Sequence, residues 1–323
     1  MKPRLNIMHL VWSLDRAGME KGVFNICHRL PPDQFATSIC ALDPGGALES
    51  QVDPQRVTML HVRRHFGNDP TVPLRLARQL RRLRIDVLHT HNCVTLVEGL
   101  IAAKLARTPV VIHGEHGKIQ DRQRQILVQR WAWRRADRVL SVSNALADRM
   151  ADRIGFPRDR IQVIPNGVDT GRFRPSDAPN GELRRELGIS ASGFLLGMVA
   201  RFVEFKDHAG VFRALAQLRE AGIEAHLALA GSGPLQDELG RLADELRIVD
   251  RVHFLGELNP VEPLLHALDV LVSNSSHNEG MSNAVLEAMA CAALPVILLR
   301  SLTKTPVWKE WKPEPRYQLG GSR

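Results

Sequence analysis

Among 323 residues there is one tyrosine, there are four cysteines, and no apolar run approaches the about eighteen residues of a membrane span. Each shortage closes off a class of function. With a single tyrosine and no recognisable nucleic-acid module, the sequence argues against a nucleic-acid partner. Cys27, Cys40, Cys93 and Cys291 keep neither metal-type nor disulfide-type spacing. Cys27 and Cys291 fall in apolar helical patterns, so buried free thiols in a reducing compartment are expected. The apolar stretch that ends at Trp12 is too short for a signal sequence and runs into Ser13-Leu14-Asp15-Arg16 instead of a cleavage site. A cytoplasmic protein is expected.

What the chain does have is the 44% hydrophobic and 24% charged composition of a globular protein. Its length predicts two domains of roughly 150 residues each. Charge is uneven. Residues 1–165 hold 26 Lys and Arg against 15 Asp and Glu, a net of +11; the remainder holds 17 against 20, a net of −3, and together they give +8. The excess lies in two arginine-dense runs, Arg75 to Arg84 and Arg122 to Arg138. Such runs read either as solvated helix faces or as contacts to anionic lipid or an anionic substrate.

Short apolar segments alternate with amphipathic ones. Strands are expected at 6–12, 37–42, 57–62, 87–90, 110–113, 138–142 and 162–164, with helical patterns at 19–30, 72–83, 95–106 and 145–153. The alternation predicts a parallel sheet covered on both faces. From Pro165-Asn166-Gly167-Val168-Asp169 to Asn180-Gly181 the composition turns to Pro, Gly, Asp and Asn, which is linker chemistry. A second alternation follows, with strands at 194–200, 225–230, 252–255, 270–274 and 295–298 and helices at 207–221, 235–246, 263–267 and 282–292. The expected organisation is therefore a Rossmann-like domain over 1–165, a linker over 166–181, a second Rossmann-like domain over 182–297 and an atypical tail over 298–323. Two such doubly wound domains, facing each other, would bind ligands at the carboxyl ends of their strands.

The chemistry concentrates in Asn278-Glu279-Gly280-Met281-Ser282-Asn283-Ala284-Val285-Leu286-Glu287. A helix starting near Ser282 offers free backbone N–H groups and a dipole to a diphosphate, and Gly280 permits close approach. Glu279 before the helix and Glu287 in its second turn could each accept bonds from a vicinal hydroxyl pair, unless one merely caps the helix and the other faces solvent. The stretch resembles the E-x7-E motif of family-4 glycosyltransferases, GT-B-fold enzymes that transfer a sugar from a nucleoside diphosphate. That resemblance implies that Glu279 contacts the donor hexose and Glu287 the ribose.

Other segments resemble the family in the same order. Arg201 and Lys206, in Ala200-Arg201-Phe202-Val203-Glu204-Phe205-Lys206, match the cations that neutralise the leaving diphosphate. Ala230-Gly231-Ser232-Gly233-Pro234 resembles the turn beside the nucleotide, with Gly231 and Gly233 opening the corner. Asp15-Arg16-Ala17-Gly18 resembles the glycine-rich loop after the first strand, with Ala17 in place of the first glycine and Gly18 kept. In His113-Gly114-Glu115-His116-Gly117 the family's histidine near the anomeric carbon falls on His116, with Glu115 the second choice. Two His and one Glu there also raise the question of a metal, but no further ligand cluster is visible, so none is expected. Met281 and Ser282 join Gly280 at the donor. Among branches of the family, sugar transferases of bacterial exopolysaccharide clusters look most similar.

The resemblance covers residues 4–297. Beyond Ile297 the family's Gly-Gly-x-x-Glu loop and final helices are not seen, and a truncated or frame-shifted terminus is expected. The resemblance implies a retaining transferase without cofactor, using a nucleoside-diphosphate sugar as co-substrate and a glycan or lipid-linked acceptor, and the basic first domain suggests a peripheral place on the inner membrane face. An inactive binding or scaffold remnant of such an enzyme is the alternative. A nicotinamide-dependent oxidoreductase is a second rival, since doubly wound sheets are shared; it predicts a G-x-G-x-x-G after the first strand, and Asp15-Arg16-Ala17-Gly18-Met19-Glu20 holds none.

Overall fold

The computed structural model describes residues 4–65, 67, 69–117, 122–176, 181–190, 192–275 and 281–297. By contacts the chain forms two compact units: Met1–Arg174 with Asn278–Ala290, and Pro175–His277 with Cys291–Arg323.

In the first unit the apolar runs become β1 (Leu5–Val11), β2 (Phe35–Ala41), β3 (Val57–His61), β4 (Val87–His91), β5 (Val110–Glu115), β6 (Arg138–Ser141) and β7 (Ile161–Val163). Between them lie α1 (Gly18–Arg29), α2 (Val72–Arg82), α3 (Cys93–Ala106), α4 (Gln123–Trp133) and α5 (Asn144–Ile154). All seven strands pair in parallel in the order β3-β2-β1-β4-β5-β6-β7. The order reverses between β1 and β4, which are register partners at His9 and His89. Strand alternation splits the core in two. Met8 and Leu10 face a cluster with Leu76, Leu80, Leu96 and the fully buried Trp133. Val11 faces the other way, with Val23 and Cys27 of α1.

Helix α4 lies in the Arg122–Arg138 run, which charge alone allowed as a solvated helix face, and is not among the helices expected from apolar periodicity. Its apolar residues lie on both sides: Ile126 and Trp133 are buried, whereas Leu127, Val128 and Trp131 are exposed. The 3.6-residue period is blurred as a result.

The second unit starts with α6 (Gly181–Glu186) and holds β8 (Phe194–Val199), α7 (His208–Glu220), β9 (Ala225–Ala230), α8 (Gln236–Glu245), β10 (Val252–Gly256), α9 (Glu262–Ala267), β11 (Val270–Ser273) and β12 (Leu294–Ile297). These five strands pair in parallel in the order β10-β9-β8-β11-β12, reversing between β8 and β11. Phe202, Phe212, Leu227, Leu229 and Leu239 fill its core. Helix α10 (Asn283–Ala290) joins β11 to β12 in sequence and groups by its contacts with the first unit. Both units are thus parallel, doubly wound α/β structures. Cys27, Cys40 and Cys291 are buried free thiols and Cys93 is half-buried; burial pushes the Cys27 and Cys40 thiols up to about 12. No helix among the described residues is long and apolar enough to cross a membrane.

Candidate functional site

In an open parallel sheet, the loops at the carboxyl ends diverge where strand order reverses, leaving room for a ligand. In the second unit that place is occupied by the loop after β8. Arg201 is exposed there and Lys206 half-buried, its ammonium 5.4 Å from the Phe205 ring centroid. The loop is held by Gly231 and Gly233. Phe202 N–H donates to Ser232 O at 2.9 Å and Leu235 N–H to Phe202 O at 3.2 Å. A Cβ at Gly231 would sit 2.1 Å from Ala200 O, and one at Gly233 2.5 Å from Phe202 O. These glycines therefore let two loops lie against each other, which fixes where Arg201 leaves the sheet.

Asp207 ends the loop in a left-handed conformation, φ 49°, and caps α7 by accepting from Gly210 N–H at 3.0 Å. Asn274, just past β11, donates to both Asp207 O and its carboxylate at 3.0 Å. The two loops that flank the reversal are thereby tied together. Next in sequence, His208 is buried against Phe202 with neither ring nitrogen partnered. Burial, helped by Lys206, holds its pKa down at about 4.

In the first unit, Gly18 opens α1 and its carbonyl accepts from Asn283 Nδ2 at 3.0 Å. Asn166 of the Pro-Asn-Gly-Val-Asp segment donates to Asn283 Oδ1 at 2.9 Å and to Met281 O at 3.3 Å. The loop after β1, the start of α10 and this segment therefore meet through one asparagine. Ala17 stands in extended backbone, φ −85° and ψ 169°, so a methyl in place of glycine brings no strain. Helix α10 starts at Asn283, one residue after Ser282; the Met281 side chain packs on the first unit's core, and Glu287 is half-buried in the second turn. Glu279 and Gly280 lie outside the described residues.

The reversal between β1 and β4 holds a feature not anticipated from sequence. His89 and His91, two apart on β4, share a face with His9, the β1 register partner of His89. His9 Nδ1 lies 3.0 Å from His91 Nε2, and His91 Nδ1 lies 3.0 Å from His116 Nε2. The four rings form a packed row, with centroids of His9 and His91 5.2 Å apart, His89 and His91 4.1 Å, and His91 and His116 5.3 Å. Burial pushes His9 and His116 down to about 4, and burial reinforced by neighbouring imidazoles holds His89 and His91 well below the usual range. The row is neutral at ordinary pH. Asn92, at φ 59°, accepts from His116 N–H at 3.3 Å and anchors the end of β5.

His113 and Glu115 point to the opposite face. Glu115 is fully buried, accepts from Gln129 Nε2 at 3.1 Å and lies 3.4 Å from His113 Nε2. The structure thus separates His116 from the other two polar residues of its segment. The sequence signal that could have led to the row is His-Thr-His-Asn at the end of a strand, where i and i+2 must share a face.

Comparison with known proteins fits this picture. The family model described as Glycosyltransferase Family 4 matches residues 16–172, and that described as Glycosyl transferases group 1 matches residues 180–304. EpsF of Bacillus subtilis (strain 168), whose name describes a glycosyltransferase, is 26% identical over 309 residues, covering 92% of this chain and 80% of that protein. The Escherichia coli UDP-Gal:alpha-D-GlcNAc-diphosphoundecaprenol alpha-1,3-galactosyltransferase is 27% identical over 309 residues, covering 91% and 79%. Among solved structures, Anabaena Alr3699/HepE in complex with UDP-glucose superposes with a TM-score of 0.78 at 22% identity, covering 91% of this chain and 80% of that one. Two matched family models in succession, over two parallel α/β units of GT-B type, make this chain a glycosyltransferase of family 4.

Proposed function

We propose that the protein transfers a sugar from a nucleoside-diphosphate sugar to a glycan or lipid-linked acceptor, with retention of anomeric configuration, in bacterial polysaccharide synthesis. One observation carries the reading: Arg201 and Lys206 stand on a glycine-stitched loop where the second sheet reverses strand order. As the bond to the sugar breaks, negative charge gathers on the departing diphosphate, and fixed cations stabilise it most when they need no rearrangement. In this reading the carboxylates of Glu279 and Glu287 accept hydroxyls of the hexose and the ribose, Gly231 and Gly233 lie beside the diphosphate, and Gly18, Gly280, Met281 and Ser282 keep the donor-binding roles that the family resemblance implies. His116 contacts the transferred sugar. A neutral imidazole there can exchange hydrogen bonds without adding charge. Support for donor and acceptor classes comes from the Anabaena protein with UDP-glucose and from the E. coli relative, named for a diphosphoundecaprenol-linked acceptor.

The acceptor class fits a membrane surface. Helix α4 exposes Leu127, Val128 and Trp131 on one side, and the Arg135 guanidinium lies 4.1 Å from the Trp131 ring. Arg124 and Arg134 are exposed on the same helix and just beyond it. Apolar side chains flanked by arginines match an anionic bilayer interface. Flotation with vesicles containing anionic lipid tests this: salt-sensitive recovery with the vesicles is expected, and none at low salt refutes it.

The transfer reading is tested by incubating the protein with UDP-, GDP- and ADP-sugars and a lipid-diphosphate acceptor, following product by mass and its anomeric configuration by NMR. The expected product carries the donor's anomeric configuration and falls to background with Glu279→Ala. Equal background in both proteins would support the inactive remnant.

A further inference from the structure

We propose that His9, His89 and His91 form a binding site for a divalent transition-metal ion of the zinc type. Among the described residues this is the one group of three or more His, Cys, Asp or Glu whose ligand atoms lie close enough together, all within 4.8 Å of one another. The arrangement follows from sheet geometry. The i and i+2 spacing puts His89 and His91 on one face, and the parallel register brings His9 beside His89.

Three features fit an ion better than simple packing. His89 Nε2 is buried with no hydrogen-bond partner, an uncompensated desolvation that a bound cation would relieve. Space is left beside it by Gly114, the β5 partner of His91, where a Cβ would come within 3.1 Å of His89 Nε2 and 3.2 Å of His116 Nε2. His91 is bonded through both ring nitrogens, to His9 and to His116, so whichever nitrogen turns to an ion the other keeps a partner. That is the outer-shell support metal-binding imidazoles ordinarily have.

The donor set selects the ion. Imidazole suits zinc, cobalt, nickel and copper, whereas magnesium and calcium prefer oxygen, and no carboxylate belongs to this group. One ring nitrogen is enough for coordination, so each imidazole can bind an ion while keeping its one N–H on the other nitrogen. Imidazole–zinc bonds of about 2.0–2.1 Å bring donors closer than the widest separation here, so ring rotations of roughly 1 Å complete the shell. His113 and Glu115, on the opposite face, take no part. The donor geometry of this site stands without the transfer reaction proposed above, and His116, bonded to His91, is the residue the two share.

The test uses untagged protein stripped with a chelator, then dialysed against zinc or magnesium and assayed for metal by mass spectrometry. About one zinc per chain and no magnesium are expected. Zinc affinity, read by competition with a chromophoric chelator, is expected to fall at least about tenfold in His89→Leu and in His9→Gln, and over about a hundredfold in the double variant. The control His226→Gln, in the second unit, is expected to bind as the parent does. Absence of zinc from the parent, or unchanged affinity in a folded double variant, overturns the proposal. Where the variants do not fold, X-ray absorption of the zinc-loaded parent decides. Scattering from three imidazoles supports the site, and a shell of oxygen or sulfur donors overturns it.

Discussion

The two sheets reverse strand order in the same way, yet their carboxyl ends carry opposite chemistry. At the first, between β1 and β4, four imidazoles are packed together and kept neutral by burial. At the second, between β8 and β11, permanent cations stand exposed or half-exposed on loops opened by glycine. One doubly wound plan therefore supplies a dry, uncharged donor set in one place and an anion-attracting edge in the other. Topology decides where a ligand can approach; the residues placed just past the strand ends decide what it can be.

Removing the cations is the most direct way to break this contrast. Arg201→Ala and Lys206→Ala are each expected to lower kcat/KM about 10²–10³-fold, with Arg201→Lys recovering part of the loss. Steady-state kinetics on proteins with unchanged circular dichroism decide it, and a loss under about threefold would remove Arg201 or Lys206 from the reaction.

Comparing glycines sharpens the contrast in stability. Gly231→Ala pushes a methyl onto a backbone carbonyl at 2.1 Å and is expected to cost about 2–3 kcal/mol. Gly114→Ala meets only side-chain ends at 3.1 and 3.2 Å, and a less flexible unfolded chain offsets part of that crowding. Its net change should stay within about 1 kcal/mol. Urea unfolding of both proteins measures the difference, and equal losses would contradict the packing described here.

Acid offers a third probe. His208 is neutral in the fold at about 4 against an ordinary 6.5, so between these values the unfolded chain binds the extra proton. Its contribution is intact above pH 6.5 and declines as pH falls toward 4, by up to about 1.4 kcal/mol per pH unit. In His208→Leu the fall in stability from pH 6.5 to 5 should be shallower by up to that slope, as read from urea midpoints. Parallel pH curves for parent and variant would contradict it. The smallest expected effect concerns α4: Arg135→Ser should weaken binding to anionic vesicles about fivefold, corresponding to about 1 kcal/mol per basic residue.

Most of the fold was legible because buried parallel strands are short apolar runs between amphipathic helices. The placement of Arg201, Lys206, Gly231 and Gly233, as distinct from any role, was legible for a related reason: each belongs to a compact stretch joining a strand to a helix. The histidine row was not. His9 and His89 are 80 positions apart and meet only through strand register, which no local pattern records. Glu115 looked as available as His116 until alternation along β5 turned it inward. Helix α4 stayed hidden because its outward face is as apolar as its inward one.

One small residue has a thermodynamic consequence. Asp207 closes the cationic loop, starts α7 and receives Asn274 from the adjacent strand end, so the backbone around Lys206 is immobilised when the chain folds. A diphosphate arriving there has little left to order. Calorimetry of nucleotide binding should therefore show a smaller entropic penalty in the parent than in Asn274→Ala, where the same loop would have to be stilled at the moment of capture.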